Sequence, residues 1–341
     1  MADDLARRLC DPARLSPWLD AEGIATGQPL DVARITTGHS NETFLVRRGG
    51  REWILRRPPR VPLAPTAHDM AREARLLRAL ATTAVPAPRL AAACLDPDVI
   101  GAPFHLTERL DGVVVRETLP AFLHGAAVGR AFMEALATLH AADWRALGLA
   151  DFGKPDGFLD RQVARWSAQL DKYRTRPLPD LDALAAWLRE HRPPGEAPTL
   201  IHGDYHLDNV MLAAVPPPRV IAILDWETAT LGDPLVDVGL ATALWPDRSD
   251  TDLPFGQTLS HAELGDGIGS RGELADAYAA ASGRSLAHLP YYQALGLFRL
   301  ACILEGSWAR HQRGAADDPF FARLERGVPA MAARARALCG A

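Results

Sequence analysis

The chain has few cysteines, no excess of positive charge and no long apolar run, and each shortage removes a class of protein. Its four cysteines, Cys10, Cys94, Cys302 and Cys339, are scattered, with no CxxC pair, so the disulfide framework of a small secreted domain is not encoded. A formal net charge of -5 gives no overall attraction to nucleic acid or to an anionic membrane, although a local basic patch can still hold a phosphate. No segment is free of charge for long enough to span a bilayer, and "MADDLARRLC" at the N-terminus lacks the apolar core of a signal peptide. The expectation is a cytoplasmic protein with no nucleic-acid and no membrane partner. A GxSxG elbow is also missing, which removes the commonest signature of a serine hydrolase.

What is present is a folding composition, 48% hydrophobic and 23% charged over 341 residues, in a chain long enough for two lobes. Residues 4–21 read as helical. Short strands follow at Val32–Ile35, Thr43–Arg47 and Glu52–Arg56, with Gly49-Gly50 at a hairpin turn. Met70, Ala74, Leu77 and Leu80 recur at helical spacing, and "PAPRLAAACLD" and "APFHLTERL" supply two more strands. This predicts a small, mostly antiparallel sheet with one helix, complete by about residue 110. Longer helices then dominate, at Leu123–His140, Arg161–Leu170 and Leu181–His191, interrupted by a block of short strands in "TLIHGDYHLDNVML" and "RVIAILDWE". The fold class is α+β, with a small strand-rich lobe over residues 1–110 and a larger helical lobe over 111–341.

The polar cluster is "IHGDYHLDN", residues 201–209. His202, Asp204, His206 and Asp208 alternate, as zinc ligands on one side of a strand would, but Gly203 suggests that the strand has already ended. Turn capping by the same residues is a second possibility. A third joins two pieces: Asp204 and Asn209 lie in a loop between strands, and Asp225 closes the next strand, "VIAILD". An amide oxygen and a carboxylate are hard ligands suited to Mg2+ that is held partly by substrate phosphates, and Asp204 could then receive the proton of an attacking hydroxyl.

"HGDYHLDNV" followed by "ILDWE" resembles the catalytic segment of the aminoglycoside phosphotransferase-like superfamily, relatives of the protein kinases that phosphorylate small molecules. The pattern HxDxxxxN falls on His202, Asp204 and Asn209, and the metal-binding aspartate of the next motif on Asp225, with Trp226 and Glu227 where protein kinases carry Phe and Gly. The resemblance implies a bilobal protein-kinase-like fold that uses ATP and Mg2+. It makes Asp204 the catalytic base, makes Asn209 and Asp225 the metal ligands, and puts His206 near the transferred phosphate. His202 would brace the loop, and Asp233 and Asp237 of "LGDPLVDVG" would tie loop to helix.

In the other lobe the resemblance implies that the turn "TTGHSNET" covers the phosphates through Gly38, Ser40 and Asn41. On strand "EWILR" the period of two puts Ile54 and Arg56 on one face, an apolar side chain for the adenine and a cation for the phosphates. Arg56 stands in place of the lysine of protein kinases, with Glu73 as its ion-pair partner. The hinge would run through Glu108, Arg109 and Leu110. "LRRPP" and "DWETATLGDPLVDVG" look most like the branch related to kinase domains fused to acyl-CoA dehydrogenases, which is associated with phosphorylating hydroxyacyl compounds. An aminoglycoside O-phosphotransferase and a non-catalytic nucleotide-binding module are the alternatives. Asp247, Asp250, Asp252, Glu263, Asp266, Glu273 and Asp276 could attract a polycationic acceptor, whereas Trp245, Phe255, Tyr278, Tyr291, Tyr292 and Trp308 could line a groove for an acyl one; both sets are equally compatible with an acidic surface over an aromatic core.

Overall fold

The computed structural model describes residues 2–35, 41–59, 68–116, 119–120, 122–123, 125–246, 268–314 and 319–340. The chain falls into two compact units, residues 1–111 with 222–227, and residues 112–221 with 228–341.

In the first unit, β1 (Leu30–Ile35), β2 (Glu42–Arg48), β3 (Arg51–Arg57), β4 (Leu90–Cys94) and β5 (Phe104–Glu108) form one antiparallel sheet of order β1-β2-β3-β5-β4. Gly49 and Gly50 join β2 to β3 with φ of 57° and 72°, the left-handed pair that a two-residue hairpin requires and glycine supplies without a Cβ clash. Alternation divides β3 cleanly: Trp53, Leu55 and Arg57 are buried on one face while Ile54 and Arg56 are half-buried on the other. The Trp53 face joins Phe44, Val46, Phe104 and Leu106 in a core closed by Leu9, Leu15 and Leu19.

Those leucines come from α1 (Ala2–Leu9) and α2 (Pro12–Ala21), two helices where the sequence suggests one. The break falls at Asp11, whose carboxylate accepts from Ala13 N at 2.9 Å and caps α2, with Pro12 in the first turn where a missing N–H costs nothing. Arg48, almost fully buried, locks this region to the sheet by donating to Gln28 O, Ser16 Oγ and Asp20 Oδ1 at 2.9, 3.1 and 2.7 Å. Helix α3 (Met70–Leu80), capped by Asp69, completes the unit.

The second unit is mainly helical: α4 (Ala127–His140), α5 (Phe158–Asp171), α6 (Pro179–Glu190), α7 (Leu235–Leu244), α8 (Arg271–Ser282), α9 (Leu289–Gln312) and α10 (Pro319–Cys339). Helix α4 starts four residues later than the sequence pattern suggests. Strand β6 (Gly112–Val114) pairs antiparallel with β8 (Val210–Ala213), and β7 (Thr199–Ile201) with β10 (Thr230–Gly232). The long α9 packs on α7 and α10. Gly239 of α7 makes the first contact possible, since a Cβ there would stand 2.3 Å from the Tyr292 backbone. Strand β9 (Val220–Ile223) carries the chain into the segment that folds with the first unit. Among the described residues no helix is long and apolar enough to cross a membrane.

Candidate active site

The loop after β7 is built around a buried carboxylate. Asp237, at the start of α7 and fully buried, accepts from His202 N through Oδ2 and from Gly203 N through Oδ1, each at 2.7 Å. His140 Nε2 lies 3.2 Å from the same Oδ2, and His140 Nδ1 lies 2.7 Å from the Tyr278 hydroxyl, so one tautomer donates to Asp237 and accepts from the phenol. Burial alone would raise the Asp237 carboxyl, but the hydrogen bond and charge of His140, with His202, hold it below the usual carboxylate range. The turn needs glycine: Gly203 has φ of 81°, and a Cβ would come within 2.7 Å of Thr228 O. Thr228 Oγ1 returns a 2.8 Å hydrogen bond to His202 O. His202 thus braces the loop, as expected, and Asp237 ties it to a helix.

This frame presents Asp204. Its backbone N–H donates to His202 Nδ1 at 3.3 Å, and a short 3-10 turn over Leu207–Asn209 folds Asn209 back onto it. Asn209 Nδ2 donates to Asp204 O at 2.9 Å and to Asp204 Oδ2 at 3.1 Å, and it lies 3.1 Å from His206 Nε2. His206 Nε2 is itself 3.4 Å from Asp204 Oδ2. Between the two histidines, Tyr205 points inward, and its hydroxyl donates to Phe132 O at 2.6 Å. Desolvation would raise the Asp204 carboxyl, yet His206, Arg299 and His202 outweigh it and hold the group well below its ordinary value. The side chain keeps 37% exposure, so a charged carboxylate is fixed in position and still reachable.

A second polar set lies within the first unit. Arg56 forks between two carboxylates, donating to Glu73 Oε1 and to Asp225 Oδ1, both at 2.8 Å. The Arg56 charge is strengthened by Glu73 and Asp225 against the cost of burial. Glu73 is the more buried partner; desolvation opposes its charge, but Arg56 and His105, with the Trp226 backbone N–H, bring it down to about 2. His105, directly opposite Arg56 in the β3–β5 ladder, places Nε2 3.4 Å from Glu73 Oε2. Asp225 adopts φ of 63°, a left-handed conformation uncommon for a side chain with a Cβ and frequent at functional sites. Its segment is fixed by Ile223 N donating to Pro86 O at 2.8 Å and by Trp226 Nε1 donating to Ile223 O at 3.0 Å. Glu227 then accepts from Asn41 Nδ2 at 3.0 Å and lies 3.1 Å from His68 Nδ1.

Two groups of sequence candidates are therefore gathered: Asp204, His206 and Asn209 in one unit, and Arg56, Glu73 and Asp225 in the other, with Ile54 on the Arg56 face of β3. Gly38 and Ser40 lie outside the described residues. At the expected hinge, Glu108 Oε1 accepts from Arg89 N at 3.0 Å, and Arg109 pairs with Glu52 at 2.8 Å, while Leu110 follows the end of β5. Sequence reasoning named Glu227 without giving it a partner, and it missed His68, His105, His140 and Arg299. For His105 and Glu227 the signal existed: the first shares the alternation of "APFHLTERL", and the second ends "DWE".

The described aromatic candidates follow the core alternative. Trp245, Tyr278, Tyr291, Tyr292 and Trp308 are buried; Trp245 Nε1 donates to Gly269 O at 2.9 Å and Tyr292 OH to Asp233 Oδ2 at 2.8 Å. They are core residues, because amphipathic aromatics fill a helical core as readily as a groove. Glu273 closes the capping box of α8 with Ser270, and Asp276 is exposed. Asp247, Asp250, Asp252, Phe255, Glu263 and Asp266 lie outside the described residues. Among the described residues no three His, Cys, Asp or Glu side chains gather as a metal cage, and the alternating 202–208 set divides between inward bracing and the Asp204 contacts.

Residues 31–298 match the model of the phosphotransferase enzyme family. Acyl-CoA dehydrogenase family member 11 of Gallus gallus is 35% identical over 299 residues, which are 84% of this chain and 37% of that protein. Acyl-CoA dehydrogenase family member 10 of Mus musculus is 33% identical over 84% of this chain and 27% of its own length. The chain thus spans well under half of the curated relatives it matches. A solved structure named "putative aminoglycoside phosphotransferase", from Ralstonia eutropha JMP134, is 32% identical and superimposes with a TM-score of 0.80 over 97% of this chain and 98% of that one. A choline kinase from Cryptosporidium parvum, at 13% identity and a TM-score of 0.64, shares the fold.

Proposed function

The chain belongs to the phosphotransferase enzyme family, and from that premise we propose that it moves the γ-phosphoryl group of ATP to a hydroxyl of a small molecule. The observation that carries this is the Asp204 carboxylate, kept charged, held by Asn209 and His206, and still 37% exposed. A base fixed in that way can align an acceptor hydroxyl and take its proton as the new bond forms. The acceptor oxygen bonds to the γ-phosphorus, the bond to the β–γ bridging oxygen breaks, ADP leaves, and the hydroxyl proton passes to Asp204. Because its basicity is low, Asp204 orients the hydroxyl first and receives the proton late, when the oxygen has already given up electron density.

Each unit offers one hard donor of the kind a magnesium ion takes. Asn209 turns its Nδ2 toward Asp204, which leaves the amide oxygen as its ligand atom, and Asp225 holds a carboxylate with one oxygen against Arg56. Hard oxygen donors in so small a number suit an ion that takes its remaining ligands from phosphates and water. When bound, Mg2+ supplies neutralisation of charge on the phosphates. Arg56, held by Glu73, is the cation offered to the nucleotide phosphates, and its fork can engage two oxygens at once. Ile54, Asn41, Gly38 and Ser40 complete the nucleotide side, the hinge residues Glu108 to Leu110 meet the adenine, and His206 stands by the transferred group.

Similarity to members of the acyl-CoA dehydrogenase family supports a hydroxyacyl compound as the acceptor ahead of an aminoglycoside. A non-catalytic nucleotide-binding module would have no use for an anchored base at Asp204. We place the reaction in the cytoplasm, in keeping with Cys10, Cys94 and Cys302 buried as thiols. The test is a screen of candidate alcohols with Mg·ATP in which phosphorylated product is measured, not ATP loss. Product from at least one alcohol supports the proposal; ATP binding with no product from any class of alcohol contradicts it.

A further inference from the structure

The second unit holds two arginines that the mechanism does not use. Arg299, on α9, places its guanidinium 5.2 Å from the centroid of the Trp166 ring on α5, and Arg165, next to that tryptophan, places its own 5.4 Å from the same ring. One indole face-and-edge environment thus gathers two positive charges, an arrangement favoured by the ring quadrupole and opposed by repulsion between the guanidiniums. Among the described residues, neither forms a hydrogen bond or a close ion pair, in contrast to Arg56, Arg174 and Arg176, each held by a carboxylate at 2.8 Å or less. Arg299 is half-buried. Its charge acts on Asp204 and Asp237, and burial and the Arg165 charge lower its own basicity. Arginine nevertheless stays charged, so a partly desolvated cation, without a hydrogen-bonded carboxylate among the described residues, stands within electrostatic reach of Asp204.

We infer that Arg299, with Arg165 and the Trp166 ring, receives an anionic group of the acceptor, a carboxylate or a phosphate, while the acceptor's hydroxyl meets Asp204. This site presupposes the phosphotransferase reaction proposed above. A guanidinium whose donors meet no carboxylate among the described residues is completed by a bidentate oxyanion, and a planar aromatic beside it shields the pair from water. A cationic acceptor would meet two like charges at the same place, so the site selects against polycations as well as for anions.

The test uses the full chain and matched probes: hydroxy carboxylates of four to six carbons, their methyl esters, the corresponding amino alcohols, and phosphate monoesters of the matching diols. With Mg·ATP, the inference expects kcat/KM for a carboxylate or phosphate probe to exceed that for its neutral counterpart by on the order of tenfold or more, with the amine the poorest. The carboxylate and phosphate arms identify which oxyanion is taken. Arg299→Met should bring the anion-to-neutral ratio close to one, and Arg299→Lys should retain part of it. Arg165→Met, at an exposed position, should reduce the same ratio in part and serves if the first variant fails to fold. A ratio near one in the unaltered protein, a ratio that survives Arg299→Met, or an equal loss for charged and neutral probes overturns the inference. If no probe is phosphorylated, calorimetric titration decides: anion binding that requires Arg299 upholds the site although the transfer reaction fails, and no anion binding refutes it.

Discussion

Replacing Asp237 with asparagine tests the frame of the catalytic loop. The carboxylate accepts two backbone N–H groups at 2.7 Å and faces His140 at 3.2 Å, all in the buried interior. Asparagine keeps one acceptor for Gly203 but turns an NH2 toward His202 N–H and His140. A hydrogen bond to a charged acceptor contributes about 1.5–3 kcal/mol, and a buried N–H left without a partner costs about 1–3 kcal/mol. The sum is a loss of about 2.5–6 kcal/mol, large beside the roughly 5–15 kcal/mol of a typical domain. At a urea slope of about 2–3 kcal/mol/M, the unfolding midpoint of the second unit should fall by about 1–3 M, read from fluorescence. Phosphoryl transfer should fall with it, since Gly203 leads directly into Asp204, while ATP still binds. A midpoint within about 0.2 M of the original, or full activity, would refute the assignment of Asp237 as the loop's anchor.

Three further outcomes follow from the geometry. Glu73 is held at about 2, below the ordinary value near 4.3; its stabilising charge is complete above that ordinary value and lost as pH falls toward 2, so the acid unfolding of Glu73→Gln should be less steep through this window, and an unchanged pH profile would contradict the Arg56 pairing. Gly203→Ala forces a Cβ against Thr228 O at φ of 81° and should cost about 2–4 kcal/mol in denaturant unfolding, with lower kcat; a neutral substitution would mean the turn can relax. Asp225→Ala should raise the magnesium concentration needed for half-maximal transfer by about tenfold or more, and an unaltered magnesium dependence would remove Asp225 from the metal site.

Much of this arrangement is legible in the sequence because it is local. Period two in "EWILR" assigns Ile54 and Arg56 to one face, and the two glycines at 49 and 50 mark a hairpin whose strands pair as expected. The spacing of His202, Asp204 and Asn209 already implies a loop folded on itself, which a 3-10 turn accomplishes. Long-range partners are not legible. Nothing near Asp237 announces His140, 97 residues away, and the placement of Arg299 by the Trp166 ring exists only once α5 and α9 pack. The single N-terminal helix fails for a local reason that periodicity hides, since Asp11-Pro12 caps a new helix without disturbing the apolar spacing. For the aromatic side chains in the helical unit the sequence leaves groove and core equally open, because composition carries no direction: Trp245 and Tyr292 turn inward to hydrogen-bond partners.

The central claim is that the carboxylate at position 204 serves the transfer step and not nucleotide binding. Single-turnover phosphorylation of an accepted alcohol by Asp204→Asn, alongside its ATP dissociation constant, measures the two separately. Transfer should drop by about 10²–10⁴-fold, with ATP affinity within about threefold of the original. Undiminished product from the variant would contradict the account.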